Sequence, residues 1–213
     1  MRYLEIINKL IIEHAVAKPG DWDGADLLIT SISQFIFQKN WKIVGNVEID
    51  SNDYIIARFD DASIHFVIGR TIDMEDGGQT KPRFAVVFRI DLNDESNIGN
   101  ALGISNLFSV FSVAVKPALR GQRIAKQMYK WLINTQSMVI LGDRTQYFGA
   151  RRLWAALSRD TDLVVDIVDV RDMKIVEQNV TLHHGQYDHE FDQRIWSYGQ
   201  EIAHIRLVLK NLS

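Results

Sequence analysis

The sequence predicts an α/β fold, and three observations carry that expectation. Between Trp41 and Leu92, apolar and polar residues alternate with the period of two that belongs to strands. From Phe108 to Gly142 the pattern runs strand, turn, amphipathic helix, strand, which is the order of a parallel crossover unit. Beyond Gly142 a further helix and a further strand follow. No internal repeat, low-complexity tract or linker interrupts the chain, so the reading is a single domain over 1–213 with a helical N-terminal extension over 1–40.

Taken in order, residues 3–16 set Leu4, Ile7, Leu10 or Ile11, and Ala15 at helical spacing, and Pro19-Gly20 ends that helix. A second helix is expected over 24–38, with Leu27, Leu28, Ile32, Phe35 and Ile36 inward. Strands follow near 41–49, 53–60, 62–69 and 83–92, with Ser51-Asn52 and Asp60-Asp61 as hairpin turns. The segment TIDMEDGGQTKP (71–82) reads as a polar loop with three acids, either a solvated hairpin tip or a substrate-facing loop. Residues 93–106 read as a polar connection. Phe108–Val115 carries apolar side chains on both pleat faces, as expected of a strand covered on both sides.

Pro117 has no N–H for a ladder and ends that strand. From about Gly121, Ile124, Met128, Trp131 or Leu132, and Thr135 take up helical spacing. Met138–Gly142 is a short apolar run suited to a central parallel strand. A helix over about 147–159 would bury Ala150, Leu153, Trp154 and Leu157. Strands near 163–170, 173–182 and 202–210 complete the chain, with a His-rich loop at 183–190.

Composition limits the function. The 213 residues (24.4 kDa) are 46% hydrophobic and 24% charged, which describes a soluble globular protein with a sizeable core. A net charge of −3 and a pI ≈ 6.1 argue against a generally basic nucleic-acid coat. Absence of cysteine removes disulfides, thiolate metal sites and a cysteine nucleophile, and fits the cytoplasm. Glu5, Asn8, Lys9 and Glu13 break the N-terminal apolar residues, unlike a signal peptide or a membrane span, so no membrane partner is expected.

The stretch from Phe108 to Gln136 holds the candidate site. A helix start leaves backbone N–H groups unpaired and carries partial positive charge, so it attracts phosphate. Arg120, Arg123 and Lys126 add full charges there. The run Val115-x-Pro117-x-x-Arg120-Gly121-x-x-Ile124-Ala125, then Met128-Tyr129, resembles the acyl-CoA-binding motif of the GCN5-related N-acetyltransferase (GNAT) superfamily. That motif, Q/R-x-x-G-x-G/A, lies between a splayed strand and a helix. MVILGD followed by Ala150-x-x-Leu153-Trp154-x-x-Leu157 resembles the family's next strand and helix, and the combination looks especially like phage-encoded GNAT-like proteins.

The resemblance implies a GNAT-like mixed, splayed central sheet flanked by helices, with 108–170 as the acyl-CoA-binding core and acetyl-CoA as acyl donor. It implies that backbone at Val113, Ala114 and Val115 pairs with the pantetheine arm. It implies further that Arg120, Gly121, Gln122, Arg123, Ile124, Ala125 and Lys126 cradle the pyrophosphate. Two departures stand out. Arg123 occupies the family's middle glycine, and Trp154 occupies the position of a tyrosine that often protonates the leaving thiolate.

The implied reaction is attack of an amine, on a protein or a small molecule, at the thioester carbonyl. It needs a base for the amine and an acid for the thiolate. The central strand offers no carboxylate, so Asp143 is the candidate base, with a helix N-cap as its alternative. Tyr147 and Tyr129 are candidate acids, or else packing residues. Ser109 and Ser112 read as core hydroxyls bonded to backbone. His183, His184, Asp188, His189 and Glu190 have metal-ligating side chains but no zinc-site spacing, so a polar loop is the reading and no metal is expected. His65 and His204 read as satisfied packing histidines. Lys116, Arg120, Arg151 and Arg152 with Trp154 and Tyr147 are either a solvated face or a nucleic-acid groove. The rival functions are therefore a GNAT-fold nucleic-acid-base modifier and a catalytically degenerate binding module.

Overall fold

The computed structural model describes residues 28–29, 41–143, 148–182 and 204–212. The protein is a mixed α/β structure. Its strands are β1 (Leu28–Ile29), β2 (Lys42–Ile49), β3 (Asn52–Asp60), β4 (Ile64–Asp76), β5 (Gln79–Asp94), β6 (Leu107–Val115), β7 (Val139–Leu141), β8 (Leu163–Asp169), β9 (Lys174–Glu177) and β10 (Ile205–Asn211). Three α-helices lie among the described residues: α1 (Ser96–Leu102), α2 (Ile124–Asn134) and α3 (Phe148–Leu157). Nine strands hydrogen-bond in the order β2-β3-β4-β5-β6-β7-β10-β8-β9, and β1 pairs with β5. None of the described helices is long and apolar enough to cross a membrane.

The described residues group into two compact units, one drawn from 1–91 and 112–124, the other from 92–111 and 125–213. The first is built on antiparallel hairpins. Asp50 and Ser51, both at positive φ, turn β2 into β3, one residue ahead of the Ser51-Asn52 turn expected. β4 and β5 run far beyond their expected ends, to Asp76 and from Gln79. The polar segment 71–82 is thus a strand pair closed by Gly77 and Gly78, whose φ values of +60° and +78° suit a two-residue hairpin turn. Its side chains are mostly exposed, so it lacks the apolar alternation by which a half-buried strand is recognised. Trp41, Ala57, Val67, Phe84 and Val86 form this unit's core cluster.

Leu28–Ile29 corrects the helix expected over 24–38. These residues pair antiparallel with Phe84 and Ala85 of β5. Lys116 N–H bonds the Val87 carbonyl, where β6 gives out, and the β5 backbone beyond that point takes β1 as its partner. A short apolar run such as Leu-Leu-Ile fits helix and strand equally by pattern alone. The helix expected over 3–16 and the loop over 183–190 lie outside the described residues.

In the second unit, β6 and β7 pair in parallel, and β10 runs antiparallel between β7 and β8. Leu107, Leu141, Val168 and Val208 form the core, with Ile98, Leu102 and Ile104 packed against it. Ile98 and Leu102 belong to α1, which replaces the polar connection expected over 93–106. That helix has too few turns to show a periodic apolar face, and Gly103 ends it at φ 70°. The strand expected over 173–182 shortens to Lys174–Glu177.

β8, LVVDIVD, is buried at every position, two aspartates included. Asp166 is fully buried, accepts the Asn179 N–H at 2.9 Å and faces the Lys210 ammonium. Removing one partner of a buried pair leaves an uncompensated charge, so Lys210→Met should cost about 2–4 kcal/mol in urea denaturation. Lys174→Met, which removes the exposed pair with Asp172, should leave the urea midpoint nearly unchanged in the same measurement.

Candidate functional site

Within the first unit the segment Ser112–Ile124 carries most of the expected cofactor residues. Val113, Ala114 and Val115 are half-buried. After Lys116 the chain makes a single 3-10 turn, Pro117–Leu119, whose Leu119 N–H bonds the Lys116 carbonyl at 2.8 Å. Arg120 Nε reaches back to the Val115 carbonyl at 3.4 Å. Gly121 has φ +85°, and a Cβ there would meet nothing within 4 Å, so backbone conformation alone explains this glycine.

Arg123 also has positive φ, at 60°. The backbone therefore adopts, with a side chain attached, the left-handed conformation that favours glycine, at the position where the family motif has one. Arg120, Gly121, Gln122 and Arg123 are all exposed, and Ile124 beside them is buried at the start of α2. The Arg120 and Gln122 N–H groups bond the Pro117 and Leu119 carbonyls at 3.2 and 3.3 Å, so the backbone donors here are those of the first turn of α2, which have no intrahelical partners.

The second unit holds the rest. β6 pairs with β7 at only three positions, Leu107 with Val139, Phe108 with Ile140 and Ser109 with Leu141, and then runs on to Val115. Only its first half is covered as expected. Phe111 is 61% exposed, and Ser112 through Val115 are half-buried. Ser109 corrects another expectation: its hydroxyl donates to Glu95 Oε1 at 2.6 Å, a side chain rather than backbone. A carboxylate thus reaches the central strand from the end of β5, although the strand's own sequence has none.

Asp143 is exposed just past β7. Its neighbour Gly142 is fastened on both sides, its N–H to the Leu207 carbonyl and its carbonyl to Arg206 Nε. Arg206 is 6% exposed and was not anticipated; its only sequence signal is a charge inside the apolar run of β10. Asp143 lies ahead of Phe148, from which α3 is described, and Tyr147 lies outside the described residues. Tyr129 is buried edge-on against Trp154, centroids 6.3 Å apart. Burial, and then the charge of Asp143, push its hydroxyl well above the ordinary phenol range, so it keeps its proton at neutral pH. Trp154 is core, with no face open for stacking a base.

Lys126 is not turned to a ligand. Its ammonium lies 2.8 Å from Asp160 Oδ2, and Lys130 is 2.9 Å from Oδ1 of the same carboxylate. Burial alone would raise the Asp160 pKa, but hydrogen bonds from Lys126, Lys130 and the Asp162 N–H outweigh it and hold the carboxyl at about 2. Of the other histidines, His65 is satisfied by two carboxylates and His204 lies 3.7 Å from Asp169. Among the described residues, no group of three or more His, Asp or Glu side chains could hold a metal ion.

No family model, curated protein or solved structure matches this chain.

Two outcomes follow from the local physics. Arg123→Gly relieves a left-handed side-chain conformation worth about 1–2 kcal/mol, less the entropy glycine loses on folding, so thermal denaturation should show a gain of about 0.5–1 kcal/mol. The folded-state pKa of Asp160 is depressed from 3.8 to about 2, so its contribution is present above the ordinary value and is lost as pH falls to the lower one. Asp160→Asn should be less stable than the wild type at neutral pH, with the difference shrinking between about pH 4 and pH 2 in urea titrations.

Proposed function

We propose that this protein is a GNAT-type N-acyltransferase that uses acetyl-CoA to acylate an amine of a protein or small molecule, working in the cytoplasm. The observation that carries the reading is the course of the chain around β6. The strand leaves its parallel neighbour after three pairs, passes the Pro117 turn, and enters α2 through a loop with Gly121 and Arg123 at positive φ. A splayed strand followed by a donor-rich loop and a helix is the setting of the acyl-CoA motif that the sequence resembles.

In this reading the backbone of Val113–Val115 takes the pantetheine arm as an added strand, through main-chain hydrogen bonds. The loop from Arg120 to Ala125 takes the pyrophosphate through the N–H groups at the start of α2 and the Arg120 and Arg123 charges, the Arg120 and Gln122 N–H groups being bonded to Pro117 and Leu119. Lys126 contributes through its backbone only, since Asp160 holds its side chain. In the implied reaction the acceptor amine attacks the thioester carbonyl, a base takes its proton, the role for which the sequence offers Asp143, and CoA leaves as a thiol once its sulfur is protonated.

One observation favours a second reading, a GNAT-like fold that binds without turnover: Tyr129, a candidate thiolate acid, is buried in the core edge-on against Trp154. CoA retained in native mass spectrometry together with thiol release in solution would remove that reading.

Calorimetry with acetyl-CoA tests the assignment. Arg120→Ala should weaken binding about tenfold, the worth of one charge-assisted hydrogen bond, and Ala125→Leu should weaken it further by crowding the loop. Unchanged affinity in both variants would show the assigned cofactor site to be wrong.

A further inference from the structure

The imidazole of His65 sits between two carboxylates from different elements of the first unit. Its Nδ1 is 2.7 Å from Asp91 Oδ1 in β5, and its Nε2 is 2.9 Å from Asp61 Oδ1 in the turn between β3 and β4. We propose that His65 is a proton-operated clasp, fastening the 61–63 turn to the buried carboxylate of Asp91 only while both ring nitrogens carry protons.

An ionised carboxylate can only accept hydrogen bonds, so satisfying both at once requires the imidazolium, in which both nitrogens are donors. The two ends are not equivalent. Asp91 is 3% exposed and its Oδ1 also accepts Arg89 Nε at 2.8 Å, whereas Asp61 is 52% exposed. When the ring loses one proton, the remaining N–H stays with the buried acid, where an unmet acceptor is costly. The Nε2 lone pair then faces Asp61 Oδ1, and the exposed partner is the one that moves. Asp61 Oδ1 also receives the Ser63 N–H at 2.8 Å, and the Asp61 N–H bonds the Ser63 carbonyl at 3.0 Å, so the movement is felt by the turn.

The charged groups around the ring agree with this account. On β3, Phe59 stacks on the ring at 5.7 Å, and Asp60 is engaged by Arg58 at 2.7 Å. On β5 stand Asp91 and Arg89. The hydrogen bond to Asp91 raises the His65 pKa above its ordinary 6.5, helped by Asp61 and opposed by burial. The Ser63 N–H leads the effects that hold the Asp61 carboxyl below its usual range. A raised histidine pKa means that the clasp's contribution is complete below the ordinary value and is lost as pH rises through the folded-state value. At the acid end it opens when Asp61 takes up a proton. The turn is therefore fastened across the window between those two titrations.

Nitrogen-15 NMR of the intact protein reads the clasp directly. Both ring nitrogens should be protonated on the acid side of the ring's midpoint, and that midpoint should lie above that of an unperturbed imidazole. The Ser63 amide shift should follow with the same midpoint, and its exchange protection, corrected for intrinsic pH dependence, should fall several-fold above it. Asp61→Asn, on an exposed turn, should lower the ring midpoint, and His65→Gln should abolish the Ser63 step. A ring midpoint at or below that of an unperturbed imidazole, or a Ser63 amide that is flat through the ring's midpoint, overturns the proposal.

Discussion

Three parallel pairs, Leu107 with Val139, Phe108 with Ile140 and Ser109 with Leu141, govern the candidate site. A parallel strand pair needs a crossover, here the 3-10 turn and α2, yet β6 runs six residues beyond its last pair before that crossover begins. Had the ladder run to Val115, that stretch would be committed to β7 on the edge where an extended ligand could add. Instead Phe111 emerges into solvent and the residues after it stay half-buried. The exposed apolar residue and the short ladder are two signs of one event.

Charge within the second unit is organised around its helices and strands rather than around the loop at Arg120. Asp160 draws Lys126 and Lys130, neighbours one turn apart on α2, onto a single carboxylate. Arg206 is spent on the Gly142 carbonyl, where it holds the carboxyl end of β7 and the approach to Asp143. Arg120 and Arg123 remain exposed beside a strained backbone. Strain of this kind persists only where surrounding structure over-determines it, and the buried Ile124 that follows supplies such an anchor.

What the sequence disclosed follows from how local each signal was. The strands ending at Ile49 and Asp60, and β6, α2, β7, α3 and β8, stand near their expected positions because each carries several apolar residues that it buries at least in part. The outer half of the β4–β5 hairpin carries no such set and reads as a loop. α1 escapes pattern reading because two apolar residues, Ile98 and Leu102, are what it packs against the core. Contacts across long stretches of chain were beyond pattern reading: Ser109 with Glu95, Arg206 with Gly142, and His65 with Asp91. His65 reads as an ordinary packing histidine until its neighbours are known. Arg123 illustrates the reverse, since the residue type argued against a glycine-like backbone that the chain adopts anyway.

β8 has a consequence that reaches outside the native state. Without its aspartates the segment Leu163–Asp169 would be an unbroken apolar run, mostly β-branched, of the kind that stacks between chains into cross-β assemblies. Asp166 and Asp169 are costly to bury, and the folded protein offsets that cost with Lys210 and with backbone N–H groups. In the unfolded chain the same two carboxylates are hydrated and ionised, and they repel their copies in neighbouring molecules. The strand at the heart of this unit thus carries its own gatekeepers, whose protection against aggregation operates before any fold exists.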